Sequence, residues 1–370
     1  MKNALLISCF DWYKTRLAPI RDYLNDLGYD VTILESDFDH IKKTPIENRF
    51  PECTYIHVPS YTSNISVSRI RSHLSFGKSV RQYIKNLEPD LIHIQVPPNN
   101  TARYCTEYKK KHTETRLILD IVDLWPESMP VGKIRNYLPG KIWKGWRNNC
   151  IATADHVFTE CDLYRKELEE VLDKDKSSSL YLFKEQTEEE RKKIIEIITT
   201  NNPKKNVVNF AFVGSMNNIL DIEGVCSVME KFKEAGNECI FHAIGDGEKR
   251  EQFEQAVKAV GCIPYFHGAI FDEVKKIDIL APCDFAINMM KDSVSVGLTI
   301  KSIDYLSYGL PLINNIKGDT WQLIEETGIG INVGSEFQIN KSINHGNVYQ
   351  VFEERFSKES FVDQLKGVFF

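Results

Sequence analysis

KSIDYLSYGLPLI, residues 301–313, decides how the chain is read. It is a short helical pattern that stops at Gly309 and passes into an apolar run. Lys301 stands in its first turn, the unfavourable end of a helix for a cation, because the amides there carry the positive pole of the helix dipole. A helix that only filled a core would have no use for it. The same exposed amides bind phosphate well, and an ammonium beside them adds a point charge to a diphosphate. Asp304, one turn on, can accept hydrogen bonds from ribose hydroxyls. Without a ligand the two residues are a local Lys–Asp pair worth about 0.3 kcal/mol, and this stretch by itself leaves both readings open.

Outward from this stretch the chain alternates strand-like and helix-like runs. Upstream lie VVNFAFVGS (207–215), the helix pattern GVCSVMEKFKEAG (224–236), ECIFHAIGDG (238–247), KREQFEQAVKAVG (249–261) and DFAINMM (284–290). The N-terminal half has the same rhythm, in NALLISCF (3–10), RLAPIRDYLNDLG (16–28), DVTILE (30–35), SVRQYIKNLEPDLIHIQVP (79–97), RLILDIVD (116–123) and ADHVFTE (154–160). Such alternation predicts parallel sheets flanked by helices. The rhythm breaks over 173–206, where DKDKSSS, one charged helical run and NNPKKN have linker composition. The expected fold class is therefore α/β with two doubly wound, Rossmann-like domains. The expected boundaries are 1–183, a linker at 184–206, 207–350, and a C-terminal helix in 351–370 that packs back on the first domain. Two such sheets present their strand C-termini, and so their ligand crevices, at an interdomain cleft.

The bulk numbers agree. A chain of 370 residues is long for one simple core. With 42% hydrophobic and 26% charged residues it is of ordinary globular composition. The net charge of −6 argues against a nucleic-acid partner. The nine cysteines include no C-x-x-C pair, so reduced thiols in a cytosol are expected rather than a disulfide scaffold or zinc site. The run ALLISCF (4–10) is followed at once by Asp11 and Lys14 and reads as a first strand rather than a signal peptide. No apolar run reaches the roughly 18 residues of a spanning helix.

K-x-x-D-Y-L-x-x-G-x-P-L-I resembles the K-x-x-E-Y-x-A-x-G-x-P-V-V signature of family 4 glycosyltransferases, whose fold, GT-B, is two Rossmann-like domains facing across a cleft. Three further stretches resemble the family in consistent order over 207–335: IFHAIGDGEKREQFEQ (240–255), IPYFHGAIFDEVKKIDILAPCDFAINMM (263–290) and DTWQLIEETGIGINV (319–333). The resemblance implies that Ser215, Thr299, Ile300 and Lys301 hold the donor diphosphate and Asp304 the ribose. It gives the base to Gly245, Gly268, Ala269 and Ile270. DLWPES (123–128) is similar to a subgroup that adds sugars to lipid-linked precursors of surface polysaccharides, and places Asp123 and Glu127 at the cleft.

The chain also departs from the pattern. Where the family commonly has H-x-H, this sequence has His93 and Gln95. Gln95 occupies the catalytic position with Asp123, yet an amide transfers no proton. Val296 stands where a Glu often holds sugar hydroxyls, so the backbone amides around Gly297 are the substitute. The first loop is CFDWYKTR (9–16) instead of a Gly-Gly turn, leaving Lys14 and Arg16 to meet a phosphate or anionic acceptor, or simply to be surface charge. GSMNN (214–218) lacks the basic residues many relatives use. The segment 133–147, basic and Trp-rich, reads either as an ordinary packed helix or as a peripheral membrane contact.

The resemblance thus implies a retaining glycosyltransferase using a nucleotide-diphosphate sugar, uridine-linked, without a metal or other cofactor. It implies a lipid-linked saccharide acceptor for capsule, O-antigen or exopolysaccharide, in the cytoplasm at the inner face of the plasma membrane. Two alternatives stay open: a catalytically inactive GT-B partner subunit, favoured by Gln95 and Val296, and a nucleotide-sugar epimerase of the same fold.

Overall fold

The structure, a computed structural model, describes residues 2–10, 13–128, 138–200, 206–292, 296–334, 337–339 and 343–369. The chain forms two compact units, Met1–Leu182 with Phe361–Phe370, and Phe183–Ser360.

The first unit carries β1 (Lys2–Ser8), β2 (Tyr29–Ser36), a small antiparallel hairpin of β3 (Phe38–Asp39) and β4 (Thr44–Pro45), then β5 (Cys53–Ile56), β6 (Leu91–Val96), β7 (Arg116–Ile121), β8 (His156–Thr159) and β9 (Ser177–Ser179). Its sheet has seven strands in the order β5-β2-β1-β6-β7-β8-β9, all parallel. Helices α1 (Ala18–Asp26), α2 (Val67–Leu87), α3 (Asn99–Lys109), α4 (Leu138–Ile151) and α5 (Asp162–Glu167) belong to this unit. β1 and β6 are apolar almost throughout because helices cover both faces of a parallel sheet; Leu5, Ile7, Ile92 and Ile94 lie in one core with Leu34, Leu117 and Leu119.

The second unit begins with α6 (Glu188–Thr200), inside the segment read from sequence as a linker. β10 (Val207–Val213), α7 (Ile222–Glu234), β11 (Glu238–Ile244), α8 (Arg250–Ala259), β12 (Ile263–Phe266), α9 (Glu273–Leu280), β13 (Phe285–Asn288), α10 (Ile300–Ser307), β14 (Leu312–Asn314), α11 (Asp319–Thr327) and β15 (Gly330–Asn332) follow. The sheet is parallel, in the order β12-β11-β10-β13-β14-β15. Its core is aromatic: Phe210 meets Phe232 edge-on at 5.2 Å, and Phe212 meets Phe253 at 5.5 Å. α12 (His345–Phe356), capped by the Asn344 side chain, runs through position 350 and stays with this unit. α13 (Lys358–Leu365) carries the chain into the first unit's C-terminal segment, where Val368 O accepts two hydrogen bonds from Arg116 and the Phe369 ring lies 6.3 Å from that of His93.

In each sheet the strand order reverses beside the first strand, between β1 and β6 and between β10 and β13. Doubly wound sheets bind ligands at such switch points, beyond the strand C-termini.

Candidate functional site

At the switch point of the second unit, α10 starts cleanly. Thr299 is its N-cap, in extended backbone, and its Oγ1 accepts from the Ser302 amide at 3.0 Å. The same hydroxyl donates to Asn288 Oδ1 at the end of β13, which fixes the helix start to the sheet. The amides of Ile300 and Lys301 have no acceptor among the described residues. Tyr305, buried one turn on, accepts from the Val213 amide at 2.7 Å and ties α10 to the end of β10.

Lys301 folds back across Gly214. A Cβ at Gly214 would stand 2.5 Å from the lysine Cε and 3.0 Å from Nζ, and the residue has φ +130°, so only glycine fits there. Nζ lies 4.9 Å from the centre of the Phe212 ring. Burial pushes the ammonium below its ordinary pKa, and no carboxylate pairs with it among the described residues. Gly245 makes the second close approach: its Cβ would fall 2.0 Å from Gly214 O. Its amide donates to Gly268 O at 2.8 Å, and Gly214 N donates to Ile244 O at 3.0 Å. The ends of β10, β11 and β12 are thus laced together through glycines. Ser215, Gly245, Gly268, Thr299, Ile300 and Lys301 come together around one strand-end rim, with Ser215 exposed. Ala269 and Ile270 continue from Gly268, and no hydrogen bond of theirs occurs among the described residues.

Asp304 is on the next turn, but it already has a partner: Lys184 Nζ is 3.1 Å from its Oδ1. The same ammonium donates to Tyr308 Oη at 2.9 Å and pairs with Glu273, which also pairs with Lys276 and accepts from the Tyr308 hydroxyl. Burial alone would raise the Glu273 carboxyl; Lys184 and the other donors hold it down at about 2. Sequence reasoning missed Lys184, Glu273 and Tyr308.

The first unit's candidates sit differently. Gln95, at the end of β6, is 1% exposed, and neither amide atom has a hydrogen-bond partner among the described residues. Arg16 is no surface cation: it is fully enclosed, with Nε 2.6 Å and Nη2 2.5 Å from the two oxygens of Asp120 on β7. The π-helical turn Tyr13–Leu17, which leads into α1, holds it. Lys14 lies in the same turn, and its side chain falls outside the described residues. His93 Nε2 stands 3.5 Å from Asp120, and burial drives its pKa down to about 4. Asp123 accepts from Trp125 Nε1 at 2.7 Å and from the Ser128 hydroxyl. Glu127 receives a fork from Arg147 at 2.8 and 2.9 Å, with Lys144 at 3.4 Å. Burial would raise its carboxyl, and Arg147 keeps it low. Glu127 is therefore engaged in a structural ion pair. Of 133–147, residues 133–137 lie outside the described residues and the rest is α4. A cavity of about 400 Å³ beyond β2, lined by Glu35, Asp39, Glu47, Phe50 and Tyr55 among others, had no sequence signal.

Chemically, the second unit offers backbone amides, a hydroxyl and, among the described residues, an unpaired ammonium on one rim, with a carboxylate one turn away. That is a donor set for a phosphorylated ligand with hydroxyls nearby. Among the described residues no group of three His, Cys, Asp or Glu side chains is placed to hold a metal ion.

No protein-family model matches the chain. No curated protein matches it either. Solved structures do. The chain is similar to sucrose-phosphate synthase from Thermosynechococcus elongatus, at TM-score 0.65 and 13% identity, over 100% of this chain and 98% of that one. It is similar to the lipopolysaccharide outer core galactosyltransferase WaaB, at 0.63 and 14%, over 100% and 99%. It is also similar to HepE of Anabaena, solved with UDP and glucose, at 0.59 and 10%, over 99% and 98%. At these identities the likeness shows the fold: the chain has the GT-B fold, with two Rossmann-like units.

Proposed function

We propose that the chain is a glycosyltransferase that binds a nucleotide-diphosphate sugar, uridine-linked, at the α10 rim of its second unit. The observation that carries this is Lys301: a largely buried ammonium, held by Gly214 beside two helix amides, with neither the amides nor the ammonium paired to an acceptor or carboxylate among the described residues. An ammonium in that setting is costly unless an anion joins it. A donor diphosphate supplies the anion, Ser215 adds a hydroxyl, and Thr299, its own hydroxyl engaged with Asn288, holds the helix start that presents the amides. Asp304 takes the ribose in exchange for part of its contact with Lys184, and the backbone at Gly245, Gly268, Ala269 and Ile270 takes the base. Structures of similar fold support the nucleotide: HepE was solved with UDP-glucose.

In the first unit Gln95, buried with both amide atoms unpaired, positions a sugar hydroxyl without transferring a proton, and Asp123 at the end of β7 lies on the same strand-end side. No enzymic nucleophile is called on. The reaction is a front-face displacement with retained configuration, in which the bond from the anomeric carbon to the diphosphate breaks as the bond to the acceptor oxygen forms. The amides and ammonium of α10 stabilise the leaving charge. The acceptor is a lipid-linked saccharide of a surface polysaccharide, and the enzyme works without a metal at the cytoplasmic face of the membrane, where 133–147 adds a contact. An epimerase remains the second reading, because UDP-GlcNAc 2-epimerase from Methanocaldococcus jannaschii matches at TM-score 0.52.

The test is a thermal-shift panel of UDP, UDP-sugars and GDP-mannose on the full chain. A uridine-diphosphate sugar gives the largest shift, and Lys301→Ala or Asp304→Ala removes most of it. An unchanged shift in both variants refutes the site. UDP release that needs an acceptor supports transfer, and conversion of the donor sugar alone supports epimerisation.

A further inference from the structure

The first unit holds a second pair of cations, outside every motif read from the sequence. Arg69, in the first turn of α2, lays its guanidinium over the Trp125 ring, 4.6 Å from its centre, and 5.6 Å from the centre of Tyr61. Its Nη1 donates to Asn64 O at 2.9 Å, while its Nε is buried and has no hydrogen-bond partner among the described residues. Lys43 approaches the same Tyr61 ring, with Nζ 5.1 Å from its centre, and donates to His40 O and to Asn64 Oδ1. Lys43 has φ +62°, a backbone conformation that non-glycine residues take at a cost and that recurs at ligand sites.

Neither cation has a carboxylate within ion-pair distance among the described residues. The acid nearest in sequence, Asp39, spends its Oδ1 on the amides of Ile41 and Lys42 at 2.9 and 2.8 Å. Burial and the neighbouring Arg69 lower the pKa of Lys43, outweighing the opposite pull of Asp39. His73, stacked on Trp125 at 5.7 Å, brings a second buried nitrogen, Nε2, that has no partner among the described residues.

Large aliphatic side chains flank this pair in sequence. Ile41 is 75% exposed, Ile65 54%, Val67 66% and Ile70 40%. Each lies within two residues of Lys43 or Asn64, or on the same two turns of α2 as Arg69. The outward face of α2 then continues with Arg71, Lys78 and Lys85, and the helix has no acidic residue, in a chain of net charge −6. Cations enclosed by rings and edged with aliphatic surface fit an amphiphile with an anionic head.

We propose that Lys43 and Arg69 bind the phosphate or diphosphate head of a lipid-linked acceptor, and that Ile41, Ile65, Val67 and Ile70 form the apolar rim for its hydrocarbon. This rests on the reading that the acceptor is lipid-linked, and it assigns that acceptor a place within the first unit alone. Arg69 supplies a planar donor face held rigid by Trp125, and Lys43 supplies a point charge.

The test is calorimetric titration of the full chain with geranylgeranyl diphosphate below its micelle concentration, with inorganic diphosphate and geranylgeraniol as the other arms. Geranylgeranyl diphosphate binds at least tenfold tighter than inorganic diphosphate, and the alcohol binds least. Arg69→Ala and Lys43→Ala each weaken the prenyl diphosphate at least tenfold. The triple variant Ile65→Ser/Val67→Ser/Ile70→Ser, exposed and so safe for folding, brings its affinity to that of inorganic diphosphate without changing the latter. Equal affinity for the two diphosphates overturns the lipid site and leaves a free-phosphate site. Unchanged binding in Lys43→Ala overturns the anion site, whatever Arg69→Ala does to folding. The UDP-sugar shift reads the second unit separately: its loss in the wild type defeats the transferase reading, whereas a normal shift with no prenyl diphosphate binding defeats only this proposal.

Discussion

Each unit holds an enclosed basic centre: Arg16, after β1, meets Asp120 on β7, and Lys301 stands at the helix start that follows β13. In the first unit Arg16 and Asp120 lie on each other, fully enclosed, with His93 beside them. In the second, Lys301 is largely buried against Gly214 and Phe212 with no carboxylate partner among the described residues. The fold costs of the two are opposite. A buried charge with its partner in place is part of the framework, and removing one member strands the other. A buried charge without a partner weakens the empty protein and strengthens any complex that brings an anion. The comparison separates framework from site more sharply than the residue types do, since both centres begin with a basic side chain near the start of a helix.

The widest expected effect tests the framework side. Arg16→Ala leaves Asp120 buried and unpaired and should cost about 3–5 kcal/mol, read as a fall in the urea midpoint of the full chain. The double variant Arg16→Met/Asp120→Leu should recover most of that loss. A single variant of near wild-type stability would erase the distinction between the centres.

Lys301→Ala should behave in the opposite sense. In the absence of ligand its stability should be unchanged, or higher by about 1 kcal/mol, because an unpaired ammonium no longer has to be buried. UDP-sugar affinity should fall by about 1.5–3 kcal/mol, the range of hydrogen bonds to charged groups, or roughly tenfold to a hundredfold in Kd. Differential scanning calorimetry with and without UDP reads both quantities. A marked loss of ligand-free stability would put Lys301 with the framework.

How much of this was legible beforehand follows from the reach of each interaction. The helix start is a local affair: Thr299 and Lys301 sit side by side, and the sequence shows them. The strand-end glycines announce themselves by type, and Gly214 and Gly245 turn out to be close approaches of backbone to backbone. Arg16 and Asp120 are 104 residues apart, and nothing near either foretells the pairing. Periodicity shows Arg16 before a helix and leaves its direction open; the π-helical turn at 13–17 then brings it into the unit. Lys184 was hidden differently. Its surroundings have the composition of a solvated linker, yet it reaches Glu273 and Tyr308, 89 and 124 residues on.

Lys184 gives the comparison a middle case, a mostly buried cation with carboxylates on two sides. Glu273 is held at about 2 against an ordinary 4.5. An unfolded chain therefore takes up a proton that the folded one refuses between those values. The stabilisation is whole above about pH 4.5 and is lost as pH falls toward 2. Lys184→Met should flatten this acid limb and cost about 1–2 kcal/mol at neutral pH. It should also free Asp304, so UDP-sugar affinity should fall far less than in Lys301→Ala. A large loss of affinity would make Lys184 part of the donor site itself.

The smallest effect lies back in the first unit and asks whether its centre is closed to protons as well as to ligands. His93 is fully buried, and neither ring nitrogen has a hydrogen-bond partner among the described residues. Burial outweighs the nearby Asp120, and the ring stays neutral down to about pH 4 against an ordinary 6.5. Here the unfolded chain binds the proton first, so stability should fall as pH drops from 6.5 toward 4, by about 1 kcal/mol at pH 6. His93→Gln, close in shape and unable to titrate, should make that slope shallower by this ring's share, since burial also lowers His73 to about 3 and His156 to about 4, while leaving the acid limb of Glu273 in place. The two limbs belong to different units and different pH windows, so urea midpoints taken at half-unit steps from pH 7 to 3 resolve them. An upper slope undiminished in His93→Gln would mean that this ring takes up its proton as readily folded as unfolded, and the Arg16–Asp120 centre beside it would then be open to protons.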